Sequence, residues 1–318
     1  MIFKKLPDRM PQVTLVVPAY NHAAYLAQAI DSVLRQDYSN IELIVLDDGS
    51  TDGTRAVLER YGSDFHWESH ANIGQAATLN KGWGMSHGEI LGYLSADDYL
   101  LPGAVSALVA VLMAQVDAAV AYCDFYLVDP SGNLVRNVAT PEFSLDDMLT
   151  KLACPPGPGA LFRRSAYEAA GGWDNTLRQI PDFDFWLRMA PHGTFARIPH
   201  PFSAWRVHEG SQSFGPVSPE RAAESVRVIS AFFSAPGLTP AIAAMRPRAL
   251  ARAHLFCAQL HARSGRYRAA LSNFSAVCRL HPGAFARSET WRSVANALFS
   301  QLAHRVLWRL RQIAGSKA

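Results

Sequence analysis

Three short apolar runs constrain this chain more than any other feature: Val13–Val17, Ile41–Leu46 and Ile90–Leu94. Each stops abruptly in polar residues, namely Pro18-Ala-Tyr-Asn21, Asp47-Asp48-Gly49-Ser50 and Ser95-Ala-Asp97-Asp98. Between them lie segments of helical spacing, such as Tyr25, Leu26, Ile30, Val33 and Leu34. Continuous apolar runs of this length suit strands buried on both faces, with the intervening helices as crossovers. A short further strand over Phe65–Glu68 completes the order β-α-β-α-β-α-β. The expected fold is α/β: a Rossmann-like, mostly parallel sheet with helices on both faces. In such sheets ligands bind beyond the carboxyl ends of the strands. The three polar clusters, far apart in sequence, therefore converge at one edge.

Further along, a helix is expected from about Pro102 to Gln115, and strands over Ala118–Tyr122 and Phe125–Val128. Phe195–Ile198 and Phe202–Val207 read as two edge strands, and Ser211–Pro219 as a linker. Everything after it has helical period. The expected division is an α/β domain over residues 1–215 and a basic helical region over 216–318. Ala249–Ser264 and Tyr267–Leu280 form a helical hairpin, with Gly265, Ala270, Phe274 and Pro282 at the spacing of one tetratricopeptide repeat. A last amphipathic helix is expected over Trp291–Ile313.

Composition narrows the functional classes. Hydrophobic residues make up 49% of the 318, enough for a sizeable core. Cys123, Cys154, Cys257 and Cys278 lie far apart, with no CxxC pair, so neither a zinc knuckle nor a disulfide framework is indicated. A reducing compartment follows. The first residues lack the apolar core of a signal peptide, and Ala107–Ala114 is too short to span a bilayer. The net charge of +3 hides an asymmetry: residues 241–318 carry 13 basic and one acidic side chain, against 17 basic and 26 acidic before them. Such a tail can meet anionic lipid, nucleic acid or an acidic face of its own chain. No basic sheet interleaved with aromatics is evident, which argues against nucleic acid.

The two adjacent acids Asp97 and Asp98 form a hard oxygen site suited to Mg²⁺ or Mn²⁺ on a diphosphate. Tyr20 offers an aromatic face and Asp48 a carboxylate at neighbouring strand ends. Together these would hold a base, a ribose and a diphosphate.

The same residues carry a resemblance. Val-Val-Pro-Ala-Tyr-Asn, Asp-Asp-Gly-Ser-Thr-Asp-Gly-Thr, Asn-Ile-Gly-Gln with Leu-Asn-Lys-Gly, and Gly-Tyr-Leu-Ser-Ala-Asp-Asp occur in order. Ala-Gly-Gly-Trp-Asp, Pro-Asp-Phe-Asp-Phe-Trp-Leu-Arg and Trp-Arg-Val-His-Glu-Gly-Ser follow. Over about Pro11–Phe214 the chain resembles the inverting glycosyltransferases of family 2, with their GT-A fold, here followed by a helical, tetratricopeptide-like extension. The resemblance implies a nucleotide-sugar donor, a UDP-sugar fitting best, and a saccharide or lipid-linked acceptor in cell-surface polysaccharide or glycolipid assembly. Pro18, Ala19, Tyr20 and Asp48 would bind the nucleoside, with Asp97 on ribose or metal. Asp98 would bond a Mn²⁺ or Mg²⁺ ion directly, and His208 is a second candidate ligand to metal or diphosphate. Asp182 would be the catalytic base, with Asp184 the alternative. Trp173 and Asp184 are candidates for acceptor binding. The chain departs from the family pattern at Pro181, where a Glu is usual, and at Leu79, where many relatives carry an Arg.

A nucleotidyltransferase would show a glycine-rich Arg/Lys signature after the first strand, where Pro18-Ala-Tyr-Asn21 stands instead. A non-catalytic binding module is the other rival, and the intact acid set argues against it. The basic tail suggests a cytoplasmic protein lying peripherally on an anionic inner leaflet. The alternative is that Trp291–Ile313 packs on the hairpin. Flotation with anionic liposomes tests the first: the full chain should float, and a chain ending at Thr290 should not.

Overall fold

The computed structural model describes residues 10–208, 210 and 215–283, so the expected helix over Trp291–Ile313 lies outside the described residues. In chain order the elements begin β1 (Val13–Ala19), α1 (Leu26–Leu34), β2 (Ile41–Asp47), α2 (Thr54–Glu59) and β3 (His66–Ser69). There follow α3 (Gln75–Met85), β4 (Ile90–Tyr93), β5 (Tyr99–Leu100), α4 (Ala104–Ala114), β6 (Ala118–Val128) and β7 (Leu134–Val138). Next come α5 (Leu145–Lys151), β8 (Leu161–Arg163), α6 (Arg164–Ala170), α7 (Pro181–Met189) and β9 (Thr194–Arg206). The described chain closes with α8 (Pro219–Ser234), α9 (Pro240–Ala244), α10 (Arg246–Arg263) and α11 (Tyr267–Leu280).

Two compact units result. The first holds all nine of these strands with α1–α4, α6 and α7; the second holds α8–α11 together with residues 146–153, which carry α5. That return of the chain is invisible in the sequence, because a helix of seven residues carries no long-range signal. In the helical unit, Arg252 Nε donates to the carbonyl of Lys151 at 2.9 Å. α10 and α11 form the expected hairpin, turning at Gly265 with φ +76°. Ser218 caps α8 by accepting from Arg221 N–H, and Pro219 stands at its first turn. Ala251, Leu255 and Val277 close one small core of this unit; Val217, Ala222, Cys257 and Leu260 close another.

The sheet of the first unit runs β3-β2-β1-β4-β8-β6-β9-β5, with β7 beside β6. β1 through β4 are all parallel, and β1 is buried along its whole length, as a strand covered on both faces should be. β1 and β2 finish in register, Ala19 opposite Asp47, which sets two of the polar clusters side by side. Two expectations are corrected. The segments expected as separate strands after Ala118 form one continuous β6. The two expected edge strands are also one strand, β9, lying between β6 and the two-residue β5. Pro199 and Pro201, which cannot donate to a ladder, lie between the two expected segments. The ladder absorbs them through register shifts, where Cys123 pairs with Ile198 and Asp124 with Pro201.

α3 lies close on the sheet because residue 82 is glycine. A Cβ there would sit 2.5 Å from Val16 Cγ1 and 3.0 Å from its Cγ2. Trp83, next along, is fully buried and donates to the Gly92 carbonyl at 3.1 Å. Around its ring gather Tyr93, Phe162, Tyr167, Trp173 and Phe185, which fasten α3, β4, β8, α6 and α7 to one another. Alanine for glycine in a helix interior ordinarily stabilises by about 1 kcal/mol. Here the sign should reverse: Gly82→Ala should cost about 1–3 kcal/mol by overpacking. Urea unfolding checks this, and a variant as stable as the parent would refute the close approach.

Candidate active site at the carboxyl edge of the sheet

The loops after β1 and β2 are fastened together by their own motif residues. Asn21 N–H donates to Ser50 Oγ at 2.9 Å, and Asn21 Oδ1 accepts from Thr51 N–H at 2.8 Å. His22 N–H donates to Thr54 Oγ1 at 3.0 Å and Ala23 N–H to Asp52 Oδ2 at 3.1 Å. Asn21 takes φ +55°, in the left-handed region that asparagine tolerates. Asp47 faces inward, accepting from Ser50 N–H and Ser69 Oγ. Much of the polar motif therefore builds the edge.

On this edge Tyr20 remains 46% exposed, with Pro18 and Ala19 buried behind it in β1. Asp48 is buried: its Oδ1 accepts from Ile73 N–H at 2.6 Å and its Oδ2 from Gly74 N–H at 2.9 Å. It ties down the loop before α3, while Asp52 Oδ1, accepting from Thr54 N–H, caps α2. Gly74 has φ +88°, and Arg178 Nη1 lies 1.6 Å from where a Cβ would stand. The loop before α7 thereby brings a guanidinium to the Tyr20–Asp48 side.

The two adjacent acids point different ways. Asp98 is buried, and its Oδ1 accepts from the backbone N–H of Arg206 at 2.9 Å. Burial and the neighbouring Asp97 charge push the Asp98 carboxyl well up, with Arg206 opposing. The Arg206 guanidinium, in a residue only 2% exposed, donates to the Asp97 carbonyl at 2.9 Å, the Pro130 carbonyl at 2.9 Å and Gln28 Oε1 at 2.6 Å. It packs against the rings of Tyr25 and Tyr99, 4.8 and 5.6 Å from their centroids.

The Asp97 carboxylate instead faces two imidazoles. Its Oδ2 lies 3.0 Å from His208 Nε2 and 3.8 Å from His22 Nε2. The ligand atoms of His22, Asp97 and His208 all fall within 4.8 Å of one another. Among the described residues the group able to hold a metal contains Asp97, which the resemblance placed on ribose or metal, and does not contain Asp98, whose Oδ1 accepts from Arg206 N–H. His208, the other candidate ligand, lies beside Asp97. The donor set of two imidazoles and a carboxylate fits a divalent cation.

Asp182 opens α7, where Pro181 occupies the first turn, a position that needs no N–H. Its Oδ1 accepts from Phe183 N–H at 2.8 Å. Burial raises its carboxyl above the ordinary aspartate range. The Tyr93 phenol is pushed well up by burial first, and then by the Asp182 and Asp98 charges.

Asp184 points elsewhere. Its Oδ2 receives Arg188 Nε at 2.9 Å and Nη2 at 2.8 Å, and Arg188 also holds the carbonyls of Ala170 and Gly172. The expected acceptor role for Asp184 is replaced by fastening α7 to the end of α6. Trp173 is likewise corrected as an acceptor platform, being only 4% exposed within the aromatic cluster. Asn80 clamps its backbone from both sides, at 2.8 Å each. Sequence reasoning missed His22, Asn80, Arg188 and Arg206. Asn80, Arg188 and Arg206 stand in the quoted motifs without an assigned role, and His22 follows directly on a strand-end cluster.

The family model described as Glycosyl transferase family 2 matches residues 14–171. The hyaluronan synthase of Pasteurella multocida is 30% identical over 195 residues, covering 60% of this chain and 20% of that protein. The chondroitin synthase of Escherichia coli is 27% identical over 199 residues, covering 60% of this chain and 28% of that protein. The chain thus spans about a fifth to a quarter of the length of these curated relatives. Among solved structures, S. aureus TarS 1-349 in complex with UDP-GlcNAc superposes with a TM-score of 0.66 at 18% identity, covering 92% of this chain and 91% of that one. The mannosyltransferase PcManGT from Pyrobaculum calidifontis, in complex with GDP-Man and Mn2+, gives 0.59 at 20% identity, covering 95% and 88%. At these identities the likeness is one of fold.

Removing the fork of Arg206 should unseat the acid corner. Arg206→Lys cannot reproduce its spread of donors, and breaking such a buried arrangement costs about 3–5 kcal/mol. Chemical denaturation should show that loss; a cost below about 1 kcal/mol would contradict the assigned role.

Proposed function

With residues 14–171 forming a glycosyl transferase family 2 domain, we propose that this protein transfers a sugar from a nucleoside-diphosphate donor to an acceptor hydroxyl with inversion. What supports this reading is two chemistries at the ends of neighbouring strands and a third on α7. Tyr20 and Asp48 lie at neighbouring strand ends, His22, Asp97 and His208 cluster after β4, and a carboxylate with raised pKa, Asp182, opens α7. Tyr20 presents an exposed ring for the base. Asp48 shapes the loop over residues 72–74 and leaves carboxylate lone pairs for a base N–H. UDP-sugars are the donors we favour; the complexes of the two structural neighbours, one with UDP-GlcNAc and one with GDP-Man and Mn2+, support a nucleotide sugar at such an edge. The synthases among the relatives support a saccharide acceptor, and the basic tail supports an acceptor met at an anionic membrane surface. Among the described residues, no helix is long and apolar enough to cross a membrane.

Asp97 and His208 would hold a divalent cation, Mn²⁺ or Mg²⁺, which supplies charge neutralisation for the departing diphosphate. Asp182 does the work on the acceptor side. Its carboxylate takes the proton from the acceptor hydroxyl as that oxygen attacks the anomeric carbon. Burial raises the basicity of Asp182, which suits proton abstraction near neutral pH. The aromatic cluster around Trp83 and the Asp184–Arg188 pair hold α7, so Asp182 is presented from a rigid element.

Asp182→Asn should retain donor binding and lose about 10²–10⁴-fold in transfer, read as free nucleoside diphosphate released. A variant keeping most of its rate would remove Asp182 as the base, and release of pyrophosphate would indicate nucleotidyl transfer. The pH profile adds a second check. Asp182 must be ionised to act and its pKa is raised, so kcat/KM should fall as pH drops through a value above the ordinary aspartate range. An acid limb at or below that range would contradict the assignment.

A further inference from the structure

We infer that His22 is a third protein ligand of the cation site, making it a two-imidazole, one-carboxylate set that selects Mn²⁺ over Mg²⁺. The inference rests on reading the Asp97 corner as the donor's diphosphate site. Resemblance named Asp98 and His208 as candidate ligands and Asp97 on ribose or metal; the geometry adds His22.

The backbone of His22 is held whatever its side chain does. Its N–H donates to Thr54 Oγ1, and the N–H groups on either side are bonded to Ser50 and Asp52. The loop therefore does not need an imidazole at this position. The ring is nevertheless turned toward the acid. Its Nδ1 accepts from Tyr20 N–H at 3.5 Å, which leaves Nε2 facing Asp97 Oδ2. His208 repeats the arrangement from the far end of the sheet edge: its Nδ1 accepts from Gly210 N–H at 3.2 Å and its Nε2 meets the same oxygen. Two imidazoles from loops 186 positions apart thus aim the same ring nitrogen at one carboxylate oxygen.

The spacing suits a shared ion. Adjacent ligands on an octahedral cation with bonds near ~2.1 Å are about 3 Å apart, and opposite ligands about 4.2 Å. The observed 3.0 and 3.8 Å fall between these limits. A set of two histidines and one carboxylate leaves positions open, here for diphosphate oxygens and water. Imidazole nitrogen suits transition-metal ions, whereas Mg²⁺ prefers oxygen, so each added imidazole shifts preference away from Mg²⁺.

The test uses the full chain and Mn²⁺ alone, without nucleotide, followed by electron paramagnetic resonance. Pulsed measurements should show two directly bound imidazole nitrogens in the parent and one in His22→Ala and His22→Gln. Both variants should bind Mn²⁺ at least about tenfold more weakly, the lower end of what losing even an outer partner costs. Mg²⁺ should displace Mn²⁺ from the parent only at more than about tenfold excess. Thermal melting confirms that each variant is folded, and either variant suffices. One nitrogen in the parent, unchanged affinity in a folded variant, absence of Mn²⁺ binding, or displacement by equimolar Mg²⁺ would each overturn the inference. Failure of the glycosyltransferase reading is separately visible: no nucleotide sugar would yield product although the two-nitrogen signal persists.

Discussion

A buried guanidinium is the constraint on which the acid corner depends. Arg206 ends β9 with its charge out of water, and such a charge is tolerated only when its donors are satisfied. It therefore gathers what it needs: the Asp97 carbonyl, the carbonyls of the turn at residues 129–130, and Gln28 from α1. Two tyrosine rings cover it. Its backbone N–H takes one oxygen of Asp98. One residue thus joins the end of β9 to α1, to the turn after β4 and to the turn after β6.

The two adjacent acids divide their labour as a result. Neighbouring side chains in a tight turn cannot both face the same way. Asp98 turns inward to the arginine backbone, and Asp97 turns outward to His22 and His208. Burial first, and then the neighbouring Asp97 charge, push the Asp98 carboxyl well up. Asp97 keeps its carboxylate facing the two imidazoles. The segment carrying α7 is anchored by aromatic packing together with one ion pair. The rings stacked around Trp83 carry α7, and the Asp184–Arg188 pair fixes the loop between α6 and α7. Tyr93 is a member of the same aromatic cluster.

The parallel order of the first four strands was legible from the apolar runs alone, because burial on both faces leaves no alternation to misread. The convergence of Tyr20, Asp48 and Asp97 followed from topology. The helical hairpin of α10 and α11 was legible from its period and its glycine. What periodicity missed were features decided by pairing across distance. Pro199 and Pro201 look like a strand break until the ladder with β6 shows them absorbed in a bulge. Trp173 looks like an exposed platform beside two glycines until Asn80, from α3, is seen to hold it in the core.

The sequence by itself determined the sheet, the edge at which ligands gather, and the residue types available there, since those depend on local pattern and strand direction. Only the tertiary structure decided which of two adjacent acids faces the imidazoles of His22 and His208, and that Asp184 pairs with Arg188. The physical reason is that a carboxylate's role depends on what surrounds it. The partners that choose between Asp97 and Asp98, Arg206 and His208, come from the other end of the domain.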